Sequence, residues 1–230
     1  MEKSQKGLSN NQLKIIAMIA MFIDHLGVQC FPNVEIFRII GRLALPLFAY
    51  MIAEGCFYTK NRTKYLLLIS ALGIACGVVF YIAEQSLYQG ILITFSLSIL
   101  TIFSIDKIVK TRKIKNVLLG ILGLAVVVVI AVVLPIVLKD EGFRIDYGIV
   151  GVLMPVAIYF MPNKTLKIIA LSVMLALLIF TIGSIQHYAF LALPLLALYN
   201  GKRGSKKLKY MFYAFYPLHL VFIYLLSFII

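Results

Sequence analysis

Apolar residues in this chain come in long unbroken runs rather than in single stripes or alternation, and charged residues gather mostly in the gaps between them. A run of ~20 apolar residues, rising ~1.5 Å per residue, carries an α-helix across the hydrocarbon core of a bilayer. Nine helices are expected on this basis, at 12–31, 36–58, 64–84, 90–109, 115–138, 147–160, 164–183, 187–199 and 208–229. The segments 147–160 and 187–199 are short, and suit a tilted, re-entrant or internally packed helix as well as a clean span. The first run continues through Asp24 and His25, which fits a retained first helix rather than a cleaved signal peptide.

The gaps test this count. With the N-terminus inside, the cytoplasmic stretches hold Lys3, Lys6 and Lys14; Lys60, Arg62 and Lys64; Lys107, Lys110, Arg112, Lys113 and Lys115; Lys164 and Lys167; and Lys202, Arg203, Lys206, Lys207 and Lys209. Those are 18 of the 22 Lys and Arg residues, and only Arg38, Arg42, Lys139 and Arg144 fall toward the outside. Glu35, Glu84, Asp140, Glu141 and Asp146 lie mainly on the outer side. This is the positive-inside pattern, and it places the N-terminus in and the C-terminus out. The expected fold is therefore an all-α polytopic membrane protein, a single helical bundle over 1–230 in the cytoplasmic (inner) membrane. No repeat of 20 to 50 residues and no Pro- or Ser-rich linker divides it.

Composition agrees. The chain is 62% hydrophobic and 13% charged, whereas a soluble domain is about half apolar and a quarter charged, so a soluble fold is excluded. A net charge of +13 would point to nucleic acid in a soluble protein, but loop charge accounts for it here. The lipid bilayer is the expected partner, and nucleic acid is not. Trp is absent, leaving Tyr and Phe as interfacial anchors. Cys30, Cys56 and Cys76 form no CxxC pair and read as apolar helix residues. No Walker sequence, GxGxxG, HExxH, GxSxG or metal-spaced Cys/His cluster occurs, and no metal is expected.

Polar groups inside the hydrocarbon cost ~2.5–3.5 kcal/mol each when charged, so those present need a reason. Asp24 and His25 lie about seven residues from the outer end of the first segment, roughly 10 Å deep. The second segment returns inward and carries Arg42 at the same depth, so Asp24 and Arg42 are expected to pair. Adjacent helix residues point ~100° apart, which leaves Asp24 poorly placed to orient His25 and His25 facing a cavity. Thr94, Ser98, Thr101 and Ser104 make a hydroxylated stripe on the fourth segment, serving either that cavity or the helix's own carbonyls. In the last segment Tyr213-Ala-Phe-Tyr216-Pro217-Leu-His219 brings a second histidine near the midplane. Pro217 has no amide hydrogen for the carbonyl of Tyr213, so a kink would free that acceptor beside His219, and Pro46 stands in the same relation to Arg42. Asp146-Tyr147-Gly148 and Gln186-His187 are placed at the outer mouth. Gly73-x-x-x-Gly77 allows close helix packing. The run Tyr199-Asn-Gly-Lys-Arg-Gly-Ser-Lys-Lys-Leu-Lys209 either satisfies the positive-inside bias or cradles a phosphorylated cofactor on its glycine amides.

Several of these elements together resemble one family. Leu13-Lys-Ile-Ile-Ala through Asp24-His25-Leu-Gly27, Arg38-Ile-Ile-Gly41-Arg42-Leu-Ala-Leu-Pro46-Leu-Phe48, Ile52-Ala-Glu54-Gly55 and Thr59-Lys-Asn-Arg62-x-Lys-Tyr65 look like the TraX family. So do Ile91-x-Ile-Thr-Phe-Ser96-Leu-Ser98, Asp146-Tyr147-Gly148-x-x-Gly151, Leu193-Pro194-x-x-x-Leu-Tyr199-Asn-Gly201-Lys-Arg-Gly204 and Tyr213-x-Phe-Tyr216-Pro217-Leu-His219-Leu220. The fifth and seventh segments carry no part of the likeness. The resemblance implies a multi-helix inner-membrane protein like the conjugative protein that N-acetylates F-pilin. It is also similar to membrane acyltransferases that use an intramembrane histidine and an acyl-CoA.

On that pattern His25 is the expected catalytic base, with Asp24, Arg42 and His219 in its site. Thr94, Ser96, Ser98, Tyr216, Asp146 and Tyr147 would line the cavity. Acetyl-CoA would be the acyl donor, its phosphates near Lys202, Arg203 and Lys206. The acceptor, an amine or hydroxyl on a peptide, glycan or small molecule at the outer face, does not carry over. A solute or proton-coupled transporter and a noncatalytic membrane assembly factor are the competing readings.

Overall fold

Each expected apolar segment forms helix in the structure, a computed structural model that describes residues 7–111, 113–202, 204 and 208–229. The elements are α1 Asn10–Cys30, α2 Glu35–Gly41, α3 Ala44–Tyr58, α4 Arg62–Glu84, β1 Tyr88–Gln89, α5 Ile91–Lys110, α6 Ile114–Val128, α7 Leu134–Val137, β2 Arg144–Ile145, α8 Gly148–Tyr159, α9 Lys164–Ile182, α10 Ala192–Ala197 and α11 Lys209–Leu226. A π-helical turn, Val129–Val133, joins α6 to α7, and a 3-10 helix, Ser184–Leu191, leads into α10. Among the described residues six helices are long and apolar enough to cross a membrane: 10–30, 35–58, 62–82, 91–110, 114–137 and 164–182. Gly148–Tyr159, Ser184–Ala197 and Met211–Leu226 are apolar but shorter.

Two prolines explain where the helices depart from simple runs, and a third leaves its helix unbroken. The second expected segment is two helices, α2 and α3, broken at Arg42–Leu43, because Pro46 has no amide hydrogen to return to residue 42. Pro135 likewise supplies no hydrogen to Ala131. The chain absorbs this by a bond from the Leu134 amide to the Val129 carbonyl, five residues back. Pro217 lies within α11, which nevertheless continues from Lys209 to Leu226.

Contacts divide the chain into two compact units, one formed by residues up to Met51 together with those from Leu171 onward, the other by Ile52–Ala170. In the first, α1 and α2 make an antiparallel hairpin. Ser9 caps α1, accepting from the Gln12 amide while the Gln12 side chain accepts from the Ser9 amide at 2.8 Å. Gly27 lies under Phe37 and Gly41 lies under Asp24, and a Cβ at either would overlap its neighbour, so both glycines permit the close crossing. α11 runs beside α1 in the same direction, with Lys14 over the Phe212 ring at 5.3 Å and Phe22 stacked with Phe222 at 6.2 Å. The start of α1 is clasped by the chain after α10. The Leu8 amide donates to Leu198, the Asn200 amide to Leu8 and the Asn10 amide to Lys202, at 2.8–2.9 Å.

In the second unit α5 is central, packed by α4, α6 and α8. Gly120 and Gly123 of α6 sit against Ile108 and Ser104 of α5, so the fifth expected segment, which carries no part of the family likeness, has its own close-approach surface. β1 and β2 pair in parallel, Tyr88 with Arg144 and Gln89 with Ile145. A core of Leu97, Val127, Ala131, Ile145 and Val152 fills the space beside them. At the C-terminal end of α5, buried Asp106 accepts from Arg62 at 2.6 Å, Tyr159 at 2.8 Å and Lys110 at 2.9 Å. Glu54 pairs with Lys167 at 2.6 Å.

The two glycines of the α4 motif are not equivalent. A Cβ at Gly73 would stand 2.8 Å from the Ile93 Cδ1 and 3.1 Å from its backbone nitrogen, whereas at Gly77 the nearest atom is 3.6 Å away. Overpacking costs ~1–3 kcal/mol, while Ala in place of Gly within a helix gains ~0.5–1 kcal/mol. Gly73→Ala is therefore expected to lower the thermal midpoint in detergent by several degrees, and Gly77→Ala to leave it unchanged or raise it.

Candidate functional site

Asp24, His25, Arg42 and His219, four of the residues expected in the site, meet in the first unit. Asp24 sits on α1 where Gly41 of α2 leaves room for its carboxyl group. Its Oδ1 accepts from Arg42 Nη2 at 2.6 Å and pairs with Arg38 Nη1 at 2.9 Å. The two arginines are four residues apart, Arg38 on α2 and Arg42 at its C-terminal cap, so they lie on one face and reach the same carboxylate oxygen. Arg42 is 4% exposed and also donates from Nε to the Arg38 carbonyl at 3.1 Å. Two cations share one carboxylate oxygen. Pairing offsets much of the desolvation cost that a lone buried ion would carry. The Asp24–Arg42 pairing is as expected; Arg38 is an additional partner that spacing would have shown, standing one helical turn before Arg42.

One residue on, His25 points around α1 toward α11. Its Nδ1 lies 2.9 Å from Nε2 of His219, with ring planes 9° apart. His219 is 4% exposed, and its Nδ1 meets the carbonyl of Phe215 at 3.0 Å. The Phe215 ring lies nearly parallel to the His219 ring at 4.8 Å, and Tyr216 meets it edge-on at 5.4 Å. Phe215 and Tyr216 in turn pack on Ala20, Met21 and Ala44. The acceptor that α11 offers His219 is thus the Phe215 carbonyl, one turn back along the helix, and not the Tyr213 carbonyl expected from a kink at Pro217.

The remaining expected residues fall as follows. Lys202 lies in the clasp at the start of α1, its carbonyl accepting from Asn10 and its amide donating to Asn200 Oδ1 at 2.9 Å. Gly201 and Gly204 there adopt φ of +75° and +81°, conformations that favour glycine. Arg203 and Lys206 lie outside the described residues. Thr94, Ser96, Ser98, Asp146 and Tyr147 belong to the second unit. The hydroxyls of the first three donate to backbone carbonyls. Thr94 donates to the Asp146 carbonyl at 2.8 Å, Ser96 to Leu92 at 2.8 Å, and Ser98 to Thr94 at 3.0 Å and to Val152 at 2.7 Å. Tyr147 takes a left-handed φ of 58° to open α8. Gln186 is buried, while His187 is exposed and meets the Ser184 carbonyl. Among the described residues no group of three or more His, Cys, Asp or Glu side chains is arranged to hold a metal.

Removing one partner of a buried pair strands the other and costs ~3–5 kcal/mol, whereas an exposed partner contributes ~0–1 kcal/mol. Asp24→Asn is therefore expected to cut the yield of monodisperse protein and depress its thermal midpoint. Arg38→Ala, at a side chain 32% exposed with Arg42 still in place, should do little of either. Size-exclusion chromatography and thermal melts of the purified variants check both.

Comparison with known proteins finds relatives and a family. The chain is 26% identical over 236 aligned positions to the probable fimbrial assembly protein FimC, serogroup H1, of Dichelobacter nodosus, covering 91% of each. It is 39% identical over 85 residues to the uncharacterized protein RP591 of Rickettsia prowazekii (strain Madrid E), a stretch that is 37% of this chain and 33% of that one. No solved structure matches significantly. The family model described as TraX protein matches residues 9–227, nearly the whole chain, and the protein is a member of the TraX family.

Proposed function

We propose that this chain is an acyl-CoA-dependent acetyltransferase of the cytoplasmic membrane, acting on an amine or hydroxyl at the outer face. The observation that carries the reading is the contact of His25 with His219 at 2.9 Å, set beside the Asp24–Arg42 pair within apolar helices. Intramembrane ionisable groups of this kind are costly and mark function. The proposed topology is nine crossings with the N-terminus in and the C-terminus out.

The distances within the first unit support the placement of the donor. From Asn10, bonded to the loop of Lys202, to His25 is about 22 Å along α1 at ~1.5 Å per residue. That is of the order of an extended pantetheine arm. A loop with exposed Lys202 and two left-handed glycines is chemically suited to phosphate oxygens at one end of that path. At the other end His25 would take the proton from the acceptor's N–H or O–H as its lone pair attacks the thioester carbonyl. Negative charge building on the carbonyl oxygen would be stabilised by the guanidinium groups of Arg38 and Arg42, in a setting where such stabilisation is worth ~3–4 kcal/mol. The carbon–sulfur bond then breaks, and the proton held by His25 passes to the departing thiolate.

A second reading is a noncatalytic role in fimbrial assembly, which the name of the Dichelobacter relative favours. One experiment separates the two. Purified protein is given radiolabelled acetyl-CoA with model amine and hydroxyl acceptors, and His25→Ala is compared for binding and for transfer. The acetyltransferase reading expects saturable binding in both forms and a loss of transfer of about 10²–10⁴-fold in the variant. Absence of binding in the parent protein, with His25→Ala harmless to pilus or fimbria assembly, overturns it.

A further inference from the structure

The geometry points to His219 as a positioning residue that decides which nitrogen of His25 is the base: His25 is held with its hydrogen on Nδ1, and Nε2 is the atom left to take a proton. The carbonyl of Phe215 can only accept, so the His219 nitrogen that meets it at 3.0 Å, Nδ1, carries a hydrogen. A neutral imidazole has one hydrogen, so His219 Nε2 bears a lone pair. That nitrogen lies 2.9 Å from His25 Nδ1, a hydrogen-bond distance that requires one hydrogen between them. It must come from His25. The second nitrogen of His25 is then a bare acceptor.

A doubly protonated His219 would reverse this order, placing the hydrogen of His25 on Nε2. The charges around it argue for the neutral ring. Asp24, the neighbouring carboxylate on α1, is already shared by Arg38 and Arg42, and the rings in contact with His219 are Phe215 face to face, Tyr216 edge-on and His25. The ring is also fixed in orientation, since Phe215 and His25 lie within 9° of its plane and Tyr216 closes its edge. When His25 takes a proton at Nε2, the lone pair of His219 remains directed at its Nδ1–H and steadies the imidazolium. This is the task a carboxylate performs for histidine in a hydrolytic triad, here done by a neutral ring. Both nitrogens of His219 are used, so its role is orientation of His25 and not donation to the carbonyl oxygen.

The use of Nε2 as base rests on the acetyltransferase reading; the tautomer does not, and the test separates them. The full chain is labelled with 15N-histidine and reconstituted in lipid nanodiscs. Its three histidines give a small nitrogen spectrum, assigned with His187→Gln at the exposed position and with His219→Gln. The expected spectrum shows both His25 and His219 protonated at Nδ1 and bare at Nε2. His219→Gln, whose side-chain oxygen can stand near the position of Nε2, should keep His25 in that form and keep acetyl transfer. His219→Leu should lower transfer by about 10–100-fold, the usual effect of losing an orienting partner, with the KM for acetyl-CoA unchanged. A His25 hydrogen on Nε2, a doubly protonated His219, or a folded His219→Gln as inactive as His219→Leu overturns the inference. The spectrum of the parent protein decides the matter even if His219→Leu fails to fold. An expected spectrum without any acetyl transfer removes the enzymatic reading alone.

Discussion

The structure of the first unit depends on one carboxylate gripped by two guanidinium groups. A bilayer offers no water to a buried Asp or Arg, so each must bring its partner with it. Asp24, Arg38 and Arg42 do this across a helix hairpin, and the requirement reaches into residues that carry no charge. Gly41 is a glycine because the carboxyl group of Asp24 occupies the space of its side chain, and Gly27 is one because Phe37 does. Once α1 and α2 are locked at this separation, His25 has a fixed direction. The aromatic packing of Phe215 and Tyr216 on Ala20, Met21 and Ala44 then holds His219 against it.

The second unit solves the same problem with hydroxyls and glycines. Thr94, Ser96, Ser98 and Thr101 return their hydrogens to carbonyls of α5 or of the chain around α8. Hydroxyls used in this way cap local backbone while keeping the helix surface narrow enough for α4, α6 and α8 to approach. The charged end of this unit is built on Asp106, which three side chains from three helices meet.

The positions of the helices were legible because a bilayer imposes one dominant rule, the length of the apolar run. The Asp24–Arg42 pair was legible for a related reason, since two opposite charges at equal depth have few other ways to be satisfied. Less visible were features that depend on the direction of a side chain around its helix. Depth alone placed His25 and His219 in one region, but their direct contact needs the rotation of α11 about its axis. Asp106 does not stand out in the sequence because it lies near a helix end beside basic residues, where a carboxylate is ordinary; its spacing to Lys110, one turn on, is the available signal. The π-helical turn before Pro135 was hidden because a proline shows that a carbonyl loses its partner without showing how the chain repairs the loss.

The break between α2 and α3 carries its own consequence. Opening a helix inside hydrocarbon exposes carbonyl groups that lipid cannot satisfy. Here the Arg42 amide is shared between the Arg38 and Ile39 carbonyls, the Leu43 amide serves Ile40, and the Arg42 side chain turns back to give the Arg38 carbonyl a second N–H. The arginine is therefore both counter-ion and plug. Lysine would keep the charge for Asp24 but has no second, rigidly held N–H along its stem with which to seal the helix end. At this position an exchange that conserves charge does not conserve structure.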